Sequence, residues 1–60
     1  MTYKINLKTD FWNNDCILYT VFTKNPKKAI TACLDWLDYN FGLFYTLGFY
    51  SIETELYVAK

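Results

Sequence analysis

Two thiols, one serine and two close pairs of carboxylates are the groups in this chain whose type and spacing could do chemistry. They are Cys16 and Cys33, Ser51, Asp35 with Asp38, and Glu53 with Glu55. A thiol attacks as its thiolate and a serine attacks once a base takes its proton, so both need a partner. The sequence has no His and no Arg, which removes the usual base at neutral pH and the commonest metal ligand. Two cysteines alone fall short of a zinc site, and they read most simply as small core residues. Asp35 and Asp38 share a face at i, i+3 on a helix, and Glu53 and Glu55 share one at i, i+2 on a strand. Such pairs can hold a metal or exchange protons, but without a pocket they are a solvated face. The expectation is a non-enzymatic protein without cofactor or metal.

Charge narrows the partners. Six lysines balance six carboxylates, for zero net charge and a pI near 6.0. Without Arg there are no bidentate forks for phosphate or guanine, and without net positive charge the main drive for nucleic-acid binding is missing. Lys4, Lys8, Tyr3 and Trp12 could stack a single strand, but the charge balance argues against direct nucleic-acid binding. No apolar stretch approaches the roughly 18 residues of a spanning helix, and Lys4, Asn6 and Lys8 interrupt the apolar run that a signal peptide needs. Two semi-buried thiols fit a reducing cytoplasm better than a single secreted disulfide. A cytoplasmic protein with no membrane partner is expected.

The elements that position these groups follow from period and punctuation, in a single domain spanning 1–60. Tyr3, Ile5 and Leu7 alternate with Lys4, Asn6 and Lys8, the mark of a half-buried strand over Thr2 to Thr9. Asp10 to Asp15 is a hairpin turn rich in Asn and Asp. A second strand over Cys16 to Thr23 puts Ile17, Tyr19 and Val21 on one face and Cys16, Leu18 and Phe22 on the other. Asn25 before Pro26 starts a helix predicted to run to about Asn40, with Gly42 as its left-handed end. Its stripe is Ile30, Cys33, Leu34, Leu37 and Phe41, with Ala29, Ala32, Trp36 and Tyr39 off toward a flank. Leu43 to Thr46 and Phe49 onward then read as a C-terminal hairpin. Its turn falls either at Leu47-Gly48 or near Glu53-Thr54, the latter fitting a solvated turn better. The predicted fold is α+β in the order ββαββ, an antiparallel sheet of about four strands with one helix on one face.

Six Tyr, five Phe and two Trp are more ring surface than a chain of this size easily buries, since a 60-residue domain hides only about 60% of its unfolded surface. Exposed aromatic patches on small proteins mark partner surfaces. Tyr3, Phe22 and Phe41 suit an ordinary core. The loop residues Phe11, Trp12, Asn14 and Asp15 form the first candidate patch, and Trp12 is either a projecting anchor or a plug folded over the sheet edge. Trp36 and Tyr39 form a second. Lys27 and Lys28 at the helix start and Asp35 and Asp38 toward its end run against the helix dipole; as rim charges they would tune orientation and on-rate.

The early turn of Phe11, Trp12, Asn14 and Asp15 between two strands, the central helix and the short C-terminal strands together resemble the Dmd family of small antitoxins from T-even bacteriophages. The resemblance spans the chain by architecture and rests on no exact motif. It implies a viral inhibitor that binds a larger host protein, a ribonuclease toxin of the RnlA or LsoA type, and blocks its RNA cleavage. The alternatives are another phage inhibitor of host defence, or a self-associating module that consumes its rings in a homodimer across the open sheet face or a strand edge.

Overall fold

The computed structural model describes residues 1–11 and 13–58. Three strands and one helix succeed one another in the order β1 (Thr2–Thr9), β2 (Cys16–Thr23), α1 (Pro26–Leu47) and β3 (Ser51–Tyr57). The sheet is antiparallel with spatial order β2-β1-β3, so the first strand of the chain is the central one. The α+β class, the β1–β2 hairpin and the helix start are as expected. Among the described residues there are three strands in the order ββαβ, however, and not four in the order ββαββ.

The difference arises at the end of the helix. Asn25 caps its start, accepting from the Lys28 N–H at 3.3 Å, with Pro26 in the first turn. Phe41 leaves helical geometry (φ −140°, ψ 55°), yet the chain resumes the helix and continues to Leu47. The Asn40 side-chain amide donates to the Trp36 carbonyl at 2.9 Å, holding an acceptor beside the break. The left-handed end is Gly48 (φ 76°) and not Gly42. Its N–H reaches the Tyr45 carbonyl at 3.3 Å, and that of Phe49 reaches Phe44 at 2.9 Å, the paired bonds of a Schellman motif. Leu43 to Thr46 is therefore helical, and the C-terminal hairpin is replaced by a single strand. Glu53 and Thr54 lie within that strand, opposite Asn6 and Ile5. The short C-terminal strands behind the family resemblance reduce to this one.

Cross-strand register fixes the two faces of the sheet. Ile5 sits between Val21 and Thr54, and Leu7 between Tyr19 and Ile52, on the helix side. A register shift after Leu7 places Lys8 opposite Ile17, leaving Leu18 as the extra residue. The bulge breaks the simple alternation expected of β2: Leu18 packs against the core, while Ile17 joins Phe22 on the open face. Phe22 is 54% exposed and so is not the core residue its apolar character suggests.

Ile5, Leu7, Ala29, Cys33, Leu37 and Phe44 form the buried core, with Ile30, Trp36 and Phe41 packed against it. Ala29, expected on the flank, is buried because the stripe it shares with Cys33 and Leu37 follows i, i+4, i+8. Leu34 is only half-buried. The helix lies over β1 and β2.

Candidate protein-binding surfaces

At the hairpin end, the loop is tied down from several sides. The Asn13 N–H closes the turn on the Asp10 carbonyl at 2.8 Å, and Asn13 adopts a left-handed backbone (φ 63°), which Asn tolerates. Thr9, almost fully buried, donates its hydroxyl to the Phe49 carbonyl at 2.6 Å and accepts from the Phe11 N–H at 3.2 Å. The Phe11 ring lies 4.7 Å from Phe44 and 5.6 Å from Phe49, centroid to centroid. Phe11 nevertheless remains 46% exposed. Asp15 lies 3.5 Å from the Lys8 ammonium, which also reaches Glu53 at 3.3 Å. Asn14 is exposed; Trp12, expected either as anchor or plug, lies outside the described residues.

The helix patch divides. Trp36 is half-buried and stacks on Tyr19, with centroids 4.9 Å apart and planes 17° apart. It continues through Phe41 at 5.8 Å to Phe44 at 5.5 Å. A run of rings, Tyr19-Trp36-Phe41-Phe44-Phe11-Phe49, thus joins the expected loop and helix patches over one side of the fold. Such tilted and offset contacts each contribute about 0.5–1.5 kcal/mol beyond area burial. Tyr39 stands apart from this run, 89% exposed. Leu43 (64% exposed) and Leu47 (55%) succeed it along the same helix. Sequence reasoning missed these two leucines because it ended the helix early; they stand four apart on the segment that follows the break at Phe41, and that spacing was the available signal.

Among the described residues, Lys27, Lys28, Asp35 and Asp38 make no ion pair. Lys27, Lys28 and Asp35 line a shallow, open depression of about 460 Å³ with Thr31 and Ala32. Asp38 and Tyr39 follow on the same helix, so the expected rim charges and the most exposed ring among the described residues occupy one element.

On the uncovered face of the sheet, Lys4 stands between Phe22 and Glu55, Asn6 between Thr20 and Glu53, and Lys8 between Ile17 and Ser51. Thr20 donates to the Asn6 side-chain oxygen at 2.8 Å. Phe22 and Tyr57, on the two outer strands, meet edge to face at 4.8 Å. Hydrogen bonding to Glu53, together with the attraction of Asp15 and Glu53, holds the Lys8 ammonium above its ordinary pKa against some desolvation.

The two thiols differ in setting, Cys16 half-buried and Cys33 buried. Both are free, and burial pushes the Cys33 pKa up, favouring the neutral thiol over the nucleophilic thiolate. No cluster of three or more Cys, Asp or Glu side chains suited to a metal forms among the described residues. No helix there is long and apolar enough to cross a membrane. No family model matches the sequence, and neither a curated protein nor a solved structure matches it.

Proposed function

We propose that this protein is a non-enzymatic inhibitor that binds a larger host protein and occludes the groove through which that partner's substrate enters. The observation that carries the reading is Tyr39, an aromatic side chain 89% exposed on the stretch of α1 before the break at Phe41, with Asp35 and Asp38 before it and exposed Leu43 and Leu47 beyond the break. A large ring held in water by a rigid element, with charges beside it, has the make-up of an interface anchor. The run of rings joining the helix to β2 and the hairpin loop holds the helix in place, so little ordering cost attaches to binding. Phe11 and Trp36 then support the surface more than they anchor it, with Lys27, Lys28, Asp35 and Asp38 setting orientation and on-rate.

In its most specific form, which the Dmd-like arrangement suggests, the partner is a bacterial ribonuclease toxin. Co-expression with a toxin of the RnlA or LsoA type tests this. The wild-type chain should co-purify with the toxin, suppress RNA cleavage and restore growth, while a Tyr39→Ala/Leu43→Ala variant with unchanged circular dichroism should do neither. Cleavage that proceeds equally with and without the wild-type chain rejects the antitoxin form.

The exposed Phe22–Tyr57 pair supports a second reading, a homodimer across the open sheet face. Sedimentation at micromolar concentration decides it, because a monodisperse monomer removes the dimer.

A further inference from the structure

We infer that the outer edge of β3 is a docking edge for an extended, basic segment of a partner protein, which adds to the sheet as a fourth strand. This edge is a different surface from the helix patch and does not depend on it.

β3 pairs with β1 on one side only, and no other backbone hydrogen bond involves it among the described residues. Its pairing with β1 runs in unbroken register from Thr2↔Tyr57 to Lys8↔Ser51. Edge strands are normally blunted by charged side chains, above all Lys, by Pro or by a bulge. Ser-Ile-Glu-Thr-Glu-Leu-Tyr has no Lys, Pro or bulge, and its only charges are Glu53 and Glu55, which select against an acidic or identical neighbour and favour a basic one. The opposite edge, β2, is interrupted by the bulge at Leu18. β3 is thus the regular edge, and a strand laid along it gains main-chain hydrogen bonds.

Side chains define the occupant. The helix packs over β1 and β2, and Leu56, on the helix side of β3, stays 53% exposed. An added strand would cover it with apolar residues at alternate positions. On the other face β3 carries Glu53 and Glu55 and no cation. Glu53 holds Lys8 through one carboxylate oxygen, while Glu55 makes no ion pair among the described residues although it lies opposite Lys4. Lys or Arg at positions i and i+2 of the incoming strand would meet both carboxylates.

The same charges disfavour a second copy of this chain. In two-fold antiparallel pairing of β3 with itself, centring on Thr54 sets Glu53 opposite Glu55 twice. Centring on Glu53 or Glu55 sets that carboxylate against its own copy. Like charges directly opposite destabilise a sheet, so each register centred on the middle of the strand is penalised.

The test is titration of the isotope-labelled protein, monitored by NMR at low salt, with a blocked peptide of alternating Val and Lys matched to the seven residues of β3. Saturable shifts should concentrate in the amides of Ser51 to Tyr57. Glu55→Gln should weaken binding about two- to fivefold, the range of an exposed ion pair, and Glu53→Lys/Glu55→Lys should abolish it. Tyr39→Ala should leave it unchanged, separating this edge from the helix patch. A Val–Glu peptide that binds equally well, shifts centred on the helix or on β2, or no shift at millimolar peptide would each overturn the inference.

Discussion

Phe11, in the hairpin loop, rests on Phe44, in the last turns of the helix, with ring centroids 4.7 Å apart. Phe44 keeps only 7% of its exposure, whereas Phe11 keeps 46%. The loop ring thus covers a core ring, and the contact ties the β1–β2 turn to the end of the helix.

Trimming either ring should therefore report on one joint. Phe44→Leu should cost about 1–2 kcal/mol, because it thins a packed site without emptying it, and Phe11→Leu about 1 kcal/mol or less. Urea denaturation of both single variants and the double variant should give a coupling near 0.5–1.5 kcal/mol. Strict additivity would mean that the contact contributes nothing.

Opposite signs are expected at the two glycines. At Gly48 the backbone is left-handed (φ 76°), so Gly48→Ala should destabilise by about 1 kcal/mol despite open space around it. At Gly42 an added methyl would make only ordinary contact, 3.7 Å from an Asp38 oxygen. Gly42→Ala should stabilise by about 0.5–1 kcal/mol, read from the urea midpoint.

Tyr39→Ala should leave folding within about 0.5 kcal/mol of wild type, since an exposed side chain away from caps and core has little to lose. Thermal unfolding measures this directly. A larger loss would mean that Tyr39 serves the fold and would undercut its role as anchor.

Stability should decline in alkali through two groups acting in the same direction. The folded-state pKa values of Lys8 and Cys33 are both raised above their ordinary 10.5 and 9.0. Each contribution is complete below the ordinary value and is lost as pH rises through the folded one. A thermal series from about pH 8 to 11 should fall less steeply for Cys33→Ala above the ordinary cysteine value, and less steeply for Lys8→Met above that of lysine. Curves parallel to wild type would remove both contributions.

The first half of the fold was legible because local signals agree there. Alternation marks β1, Asn and Asp mark the turn, and Asn25-Pro26 marks the helix start. The second half was obscured by Gly42 and Gly48, each a plausible helix end. The run Leu43-Phe44-Tyr45 suits a strand by propensity, but burial of Phe44 against Phe11 and Phe41 overrides it. Register slipped at Leu18 for a comparable reason, since an extra residue in one strand leaves no trace in its alternation. Of the expected surface, the exposure of Tyr39 and the rim charges could be read from the helical wheel. The inward pull on Phe11 and Trp36 could not, because Phe44 and Tyr19 meet them only once the chain has folded.

The break at Phe41 also divides the helix by task. At about 1.5 Å per residue, the stretch from Pro26 to Asn40 spans about 22 Å. The eight residues of β1 extend about 26 Å at roughly 3.3 Å each. The first stretch is therefore nearly long enough to traverse the sheet and return the chain to the hairpin end. The second, from Gly42 to Leu47, is a short extension that lowers Phe44 onto Phe11 before Gly48 turns the chain into β3. Crossing and roofing are separate jobs, and this chain assigns them to successive pieces of a single helix.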